Sequence, residues 1–332
     1  MSVTIKDIAR VANVSYSTVS KALNDSPLVK KKTKDKILEV AKQLGYQPNM
    51  VAKSLVSKKS HVIGIVWPTV ERPAWSTLVT KINDILENYD YHTLLSINPF
   101  DSAVTLFNLF QVDAILIFKE ENQMQKKSDL LSSNVPILCY GKPGASPFPA
   151  IDVNRRKAIF EAVRYLSEKK HQKISYIGDL SQQEMTQQEK FLGFSEGIIH
   201  FGLPTHPEMT VNTGGNSSEG GYRSTKQLLK SNFKPTAIIS GSYDITVGIM
   251  RALKEEGIKV PQDLSILSYD NIPQMDNFEI PITAVGAPID SIAENIARSL
   301  LTITKGTDQL PFFTEIDVEL AERKSCQEPQ TE

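Results

Sequence analysis

The sequence predicts an α/β protein: a small all-α helix-turn-helix head followed by a two-lobed body with parallel sheets. Three observations predict it. The first 60 residues hold twelve lysines and arginines against four acids, a net +8, while the rest carries −9 and the whole chain only −1. Within that basic segment two short amphipathic stretches flank a tight turn at Asn13-Val14. Beyond His61, short apolar runs alternate with segments of helical period, and the alternation restarts near residue 158. That is the pattern of parallel sheets covered by helices.

In the head, Thr4 is placed to cap the stretch Ile5 to Ala12, with Asp7 as a short capping-box partner. Ile5, Ile8, Ala9 and Ala12 share one face at helical spacing. Asn13 suits a left-handed turn position, and Ser15 can cap a second helix from Tyr16 to Leu23. Only Val19, Ala22 and Leu23 of that helix suit packing; the remainder is Tyr, Ser, Thr, Ser and Lys. A hydroxyl-rich helix after a tight turn fits the recognition helix that enters the DNA major groove by its N-terminus. Ser15, Tyr16 and Ser17 are then expected near bases, and Thr18, Ser20 and Asn24 near phosphates. The competing readings are a solvated lysine-rich tail and an ordinary three-helix domain; pattern and charge together favour DNA. A third helix is expected from about Thr33 to Leu44, ended by Gly45. Pro48 then stops continuation, and Asn49 can cap one or two turns over residues 50–57. Such turns are too short to stand alone. They read either as a linker or as a segment that folds against DNA and a second copy, with Leu55 as a minor-groove wedge.

In the body, strands are expected at Val62 to Pro68, Tyr91 to Ser96, Ala114 to Phe118 and Pro136 to Tyr140. Helices are expected over Ser76 to Asn88 and part of Leu106 to Phe110. The second round places helices at Ala158 to Lys169, Glu189 to Phe201, Gly220 to Lys230 and Ile245 to Glu256. Its strands are Lys173 to Gly178, Thr236 to Ser240 and Leu264 to Tyr269. A ligand is expected outside the carboxyl ends of the strands, where Asp179, Ser240 to Asp244 and Asp270-Asn271 stand.

Enzyme chemistry finds little to work with. The first strand–helix turn, Trp67 to Pro73, has no glycine-rich fingerprint, and neither a GxxxxGK[ST] loop nor a GxSxG elbow occurs. The histidines at 61, 92, 171, 200 and 206 make no metal-ligand pair at helix spacing, and no cofactor is implied. His171 reads as structural. Cys139 and Cys326 are distant and suit a reducing cytoplasm. No apolar run reaches the roughly 20 residues of a membrane helix, and the first residues lack a signal-peptide core, so a cytoplasmic protein without membrane contact is expected.

The motifs Thr4-Ile5-Lys6-Asp7-Ile8-Ala9, Val14 to Asn24 and Gly45-Tyr46-Gln47-Pro48-Asn49 resemble the LacI/GalR family of bacterial repressors. In the body, Val112-Asp113-Ala114-Ile115, Leu192-Gly193-Phe194, Pro235-Thr236-Ala237-Ile238 and Ser268-Tyr269-Asp270-Asn271 fall in the family's order. The resemblance implies a helix-turn-helix domain over 1–47 and a hinge helix or linker over 48–59. It implies a periplasmic-binding-protein-like body: a first lobe of 60–157 with 288–316, a second of 158–287 with 317–326, and a tail of 327–332. It further implies a homodimer on palindromic operator DNA. Tyr16, Ser17 and Lys21 would read bases, while Thr4, Ser15, Thr18, Ser20, Asn24 and Tyr46 would meet the backbone. Leu55 matches the hinge wedge, with Ala52 beside it in the minor groove. Lys21 stands where the family often has arginine, so guanine readout should be altered.

The implied effector site departs more. Lys190 replaces the family's arginine, Asn216 stands at the stacking aromatic, Ser242-Tyr243 replaces an Asn-Asp pair, and Ala287 replaces a crossover glutamine. Asp270 is retained, and Trp75 sits in the loop that offers an aromatic to the ligand. The expected effector set is Trp75, Lys190, Asn216, Ser242 and Asp270. Lys190 could pair with a carboxylate, which points to a sugar or sugar acid, the acid favoured. The rival reading makes Lys190 a surface residue. A transport solute-binding protein or a sugar-processing enzyme are the alternatives to a regulator; the basic head and missing export signal argue against the first.

Overall fold

The computed structural model describes residues 3–23, 25–46, 59–67, 71–118, 135–141, 148–181, 184–306 and 310–330. The chain divides into two compact units, Met1–Ser60 and His61–Glu332.

The head contains α1 (Ile5–Ala12), α2 (Tyr16–Leu23) and α3 (Lys31–Gln43). Ile8, Ala12, Val19, Ala22, Ile37, Val40 and Ala41 close its core. The turn forms as its chemistry dictates: Asn13 adopts φ 55°, and the Thr18 amide donates to Ser15 Oγ at 3.2 Å. The Asp7 carboxylate accepts from the Thr4 amide at 3.0 Å and from its hydroxyl at 2.7 Å. Lys36 Nζ donates to the Ala12 carbonyl at 2.9 Å, satisfying an orphan acceptor at the negative end of α1.

The body holds two six-stranded sheets. The first runs β11 (Phe313–Ile316), β5 (Ala150–Val153), β4 (Ile137–Tyr140), β3 (Ala114–Phe118), β1 (Val62–Val66) and β2 (His92–Ser96), all pairs parallel. Strand β3 shows why the sequence reads as one apolar run. Ala114, Leu116 and Phe118 enter one cluster with α4 (Pro73–Glu87) and α10 (Ile289–Lys305). Ile115 and Ile117 enter the opposite cluster with α5 (Phe100–Phe110). Alternate side chains thus meet helices on both faces.

The second sheet runs β12 (Glu319–Ala321), β10 (Thr283–Gly286), β9 (Ser265–Tyr269), β8 (Ala237–Ser240), β6 (Ile174–Gly178) and β7 (Thr210–Asn212). Only β12 is antiparallel to its neighbour. Helices α6 (Arg155–Glu168) and α7 (Met185–His200) pack together, as do α8 (Ser218–Lys230) and α9 (Tyr243–Glu255). The chain passes between the sheets after β5, after β10 and after β11.

The structure extends the sequence reading in two ways. The helix expected only around Leu106 begins at Phe100, because Phe100, Ala103, Val104 and Phe107 already form a buried stripe behind Pro99. Strands β5, β7, β10, β11 and β12 are additional to those the sequence announces; they are only three or four residues long, and β5 hides a charged Asp152 inside an apolar run. Both cysteines are buried, and neither is in a disulfide among the described residues. His171 is buried between Thr236 Oγ1 at 2.8 Å and the Gln327 carbonyl at 2.9 Å, a structural placement.

The α8–α9 contact is made by backbone approaching backbone. A Cβ at Gly248 would collide with the Ser218 carbonyl, and one at Gly221 with the Ile245 carbonyl. Gly248→Ala is therefore expected to destabilise the body by about 1–3 kcal/mol, measured as a lower midpoint in urea unfolding. An unchanged midpoint would show that the two helices separate freely.

Candidate functional site

Two surfaces carry the sequence-expected residues, one on each unit. On the head, α2 buries Val19 and Ala22 and turns Ser15, Tyr16, Ser17 and Lys21 to solvent, with Tyr16 55% exposed. Ser15 Oγ lies 2.9 Å from Ser17 Oγ and 2.8 Å from Thr18 Oγ1, so the start of α2 is a cluster of linked hydroxyls. Lys21 follows Ser17 by one helical turn and shares its face. Thr18 and Ser20 are half-buried on the flanks, and Thr4 is exposed at the start of α1. Tyr46 packs half-buried against the head core; burial and then the nearby Tyr16 push its phenol up. Asn24, Asn49, Ala52 and Leu55 lie outside the described residues.

In the body, a cavity of about 330 Å³ opens at the carboxyl ends of the strands of both sheets. This falls in the usual range for small-molecule sites, ~300–1,000 Å³. Trp75, Lys190, Asn216 and Asp270 all line it. Trp75 does not sit in a loop: it belongs to the first turn of α4, because Pro73 starts that helix three residues earlier than the sequence pattern suggests. Its ring packs edge-on against Trp67 at 5.6 Å and Phe118 at 5.0 Å, which fixes its orientation.

Ser242 is placed elsewhere. It is fully buried, its Oγ accepts from the Ile245 amide at 3.3 Å as the N-cap of α9, and it does not line the cavity. Lys190 is not a surface lysine. It is 4% exposed, its Nζ donates to the Gly241 carbonyl at 2.7 Å, and it lies 3.9 Å above the centre of the Tyr269 ring. Burial draws the ammonium down to about 7; Asp270 and Glu184 oppose that, while Arg155 and Arg72 add to it. Asp270 adopts φ 80°, an unusual backbone for an aspartate, and its Oδ2 accepts from the Tyr243 amide at 2.9 Å.

Several lining residues stand outside the expected effector set: Arg72, Tyr140, Arg155, Gln187 and Tyr269. Arg155 follows a strand too short to recognise, so nothing marks it as a strand-end residue. Arg72 Nε pairs with Asp244 Oδ2 at 3.2 Å, and Gln274 Nε2 donates to Thr77 Oγ1 at 2.8 Å. Both links join the two lobes beside the cavity. Among the described residues no cluster of His, Cys, Asp and Glu could hold a metal ion.

Residues 4–49 match the description "Bacterial regulatory proteins, lacI family", and residues 163–326 match "Periplasmic binding protein-like domain". Catabolite control protein A of Priestia megaterium is 31% identical over 308 residues, covering 91% of this chain and 92% of that protein. The chain belongs to the LacI family of bacterial regulatory proteins. The fold of this LacI-family regulator is shared with a lac repressor dimer bound to operator and an anti-inducer, at TM-score 0.83 and 24% identity, covering 98% of this chain and all of that one. It is also shared with a LacI-family regulator from Enterococcus faecium with bound ribose, at TM-score 0.70 and 21% identity, covering 81% of this chain and all of that one.

The cost of burying Lys190 in this regulator is measurable. Below about pH 7 the folded and unfolded chains both carry its proton, and the full cost of the buried charge is borne. As pH rises from there the folded chain sheds the proton while the unfolded chain keeps it to about 10.5, so the cost fades. Lys190→Met is expected to raise the melting temperature by at least ~2 °C near pH 6.5, with the gain shrinking at pH 9.5. A variant that melts lower than the parent at pH 6.5 would contradict a strained ammonium.

Proposed function

We propose that this protein is a cytoplasmic homodimeric repressor of transcription. It binds palindromic operator DNA through α2 and is controlled by a sugar or sugar acid in the body cavity. The observation that carries the DNA reading is the exposed face of α2. Tyr16, Ser17 and Lys21 face solvent on a helix whose other side completes a core, with Ser15 exposed at its start. The dimeric and operator-bound state of the lac repressor neighbour supports the assembly, and the ribose in the Enterococcus faecium neighbour supports the effector class. No described helix is long and apolar enough to cross a membrane.

In this reading Lys21 gives guanine one point contact rather than a fork. Thr4, Thr18, Ser20, Asn24, Tyr46 and Asn49 hold the backbone, while Ala52 and Leu55 meet the minor groove. The effector works by its differential affinity for the lobe arrangements, remaking or breaking the Arg72–Asp244 and Thr77–Gln274 links. Trp75, Lys190, Asn216 and Asp270 are its proposed contacts; Ser242 holds the helix that carries Asp244.

DNA selected from a random pool by the purified protein, with and without sugars and sugar acids, tests this. The expected product is an inverted repeat around a flexible pyrimidine–purine step. The Tyr16→Ala, Lys21→Ala double variant should bind that duplex about 10-fold more weakly or worse while melting as the parent does. Unchanged affinity and selectivity in that variant would remove the basis of the proposal.

A further inference from the structure

Among the described residues three cations line the cavity. Arg72 commits Nε to Asp244 across the lobes, and its side chain is 25% exposed. Lys190 is engaged with the Gly241 carbonyl and the Tyr269 face, and its charge is only partial near neutrality. Arg155 differs. Its Nη1 donates to Asp152 Oδ1 at 2.5 Å and weakly to the Val153 carbonyl at 3.4 Å. Its Nε and Nη2 have no protein partner among the described residues. Its side chain is 12% exposed, and it lines the cavity beside Tyr140 and Tyr269. Burial works against this charge, but the Asp152 carboxylate outweighs it, and the guanidinium stays charged.

A second observation marks a ligand at the same place. Gln187 is 6% exposed and lines the cavity, and among the described residues its Oε1 is buried without a partner, as is Asn216 Oδ1. Buried acceptors of this kind await a donor. Gln187 stands in the first turn of α7, on the same cavity.

We propose that Arg155, held by Asp152, binds an anionic group of the effector, which is therefore a polyhydroxylated carboxylate or phosphate ester. Gln187, Asn216 and Asp270 take its hydroxyl donors. This rests on the cavity being the effector site, and it moves the anion from Lys190, where the sequence points, to Arg155.

The test is calorimetric titration of the full-length protein with hexoses, their uronic acids and their 6-phosphates, at pH 6.5 and 8.5. Removing Arg155 alone strands a buried Asp152, so the variant is Asp152→Asn with Arg155→Met, which removes both charges. Melting temperature and operator binding report its integrity. The expected result is one acid or phosphate ester bound in preference to its neutral hexose, with that preference reduced on the order of 10–100-fold in the double variant. Which of the two classes binds identifies the anion. The preference should persist at pH 8.5, because arginine does not titrate there. If Lys190 were the anchor, facing only Asp270, Glu184, Arg72, Arg155 and Tyr269, the preference would fall about tenfold per pH unit above 7. A neutral hexose bound as tightly as its acid overturns the anion assignment and leaves the effector site standing. A preference unchanged in the double variant, or lost at pH 8.5, overturns Arg155 as the anchor. Binding by no member of the panel overturns both readings.

Discussion

The body depends on keeping cations buried at the carboxyl ends of two sheets. A buried charge survives only when it is paired or hydrogen-bonded, and the structure gives each cation a different solution. Arg155 has a carboxylate below it, Arg72 has one across the lobe boundary, and Lys190 has a carbonyl and an aromatic face. Those solutions leave the two guanidinium groups more bonding capacity than the lysine keeps. They also fix the surroundings: Tyr269 must be aromatic and buried beneath Lys190, and Asp152 must sit inside an otherwise apolar strand.

Much of the fold is legible in the order of residues alone. The strands with long apolar runs, the helices with clear stripes, and the turn at Asn13 announce themselves, because a single physical signal dominates each. Four of the five expected cavity residues, Trp75, Lys190, Asn216 and Asp270, do line the cavity. What stays hidden are short elements and tertiary assignments. Strand β5 is four residues with a charge inside, so Arg155 does not look like a residue at a strand end. Ser242 carries a ligand-like hydroxyl, yet a serine just before a helix is equally an N-cap, and the unsatisfied amides of α9 win that competition. Lys190 suits a surface by composition; only packing reveals that its helix face turns inward, and the Gly193 approach to the Arg156 carbonyl that sets α7 against α6 is a backbone contact.

The two lobes are joined lightly where the cavity opens. The Arg72–Asp244 pair and the Thr77–Gln274 bond are each worth on the order of 1 kcal/mol, small against the contacts a ligand can make to both lobes. Either link can therefore be exchanged for a contact to a metabolite, while the sheet of each lobe is held under helices. Charge burial also tunes the linkage. Asp244 is itself pushed up by its burial and pulled back by Arg72, so losing Arg72 would leave an unpaired carboxyl at the lobe boundary.

The location of Arg155 gives its occupancy mechanical meaning. Asp152 belongs to β5 in the first sheet, and Arg155 is the first residue of α6, which packs in the second lobe. Their bond therefore spans the first crossover between lobes. An anion bound to the outer edge of the guanidinium competes electrostatically with Asp152 for the same charge and adds contacts that depend on how α6 sits. A ligand group placed there acts on the hinge directly, with no relay of intermediate residues. A neutral hydroxyl on Lys190 or Asp270 would touch only the second lobe. Discrimination between acid and neutral sugar and the coupling of binding to lobe angle would then be properties of one residue pair.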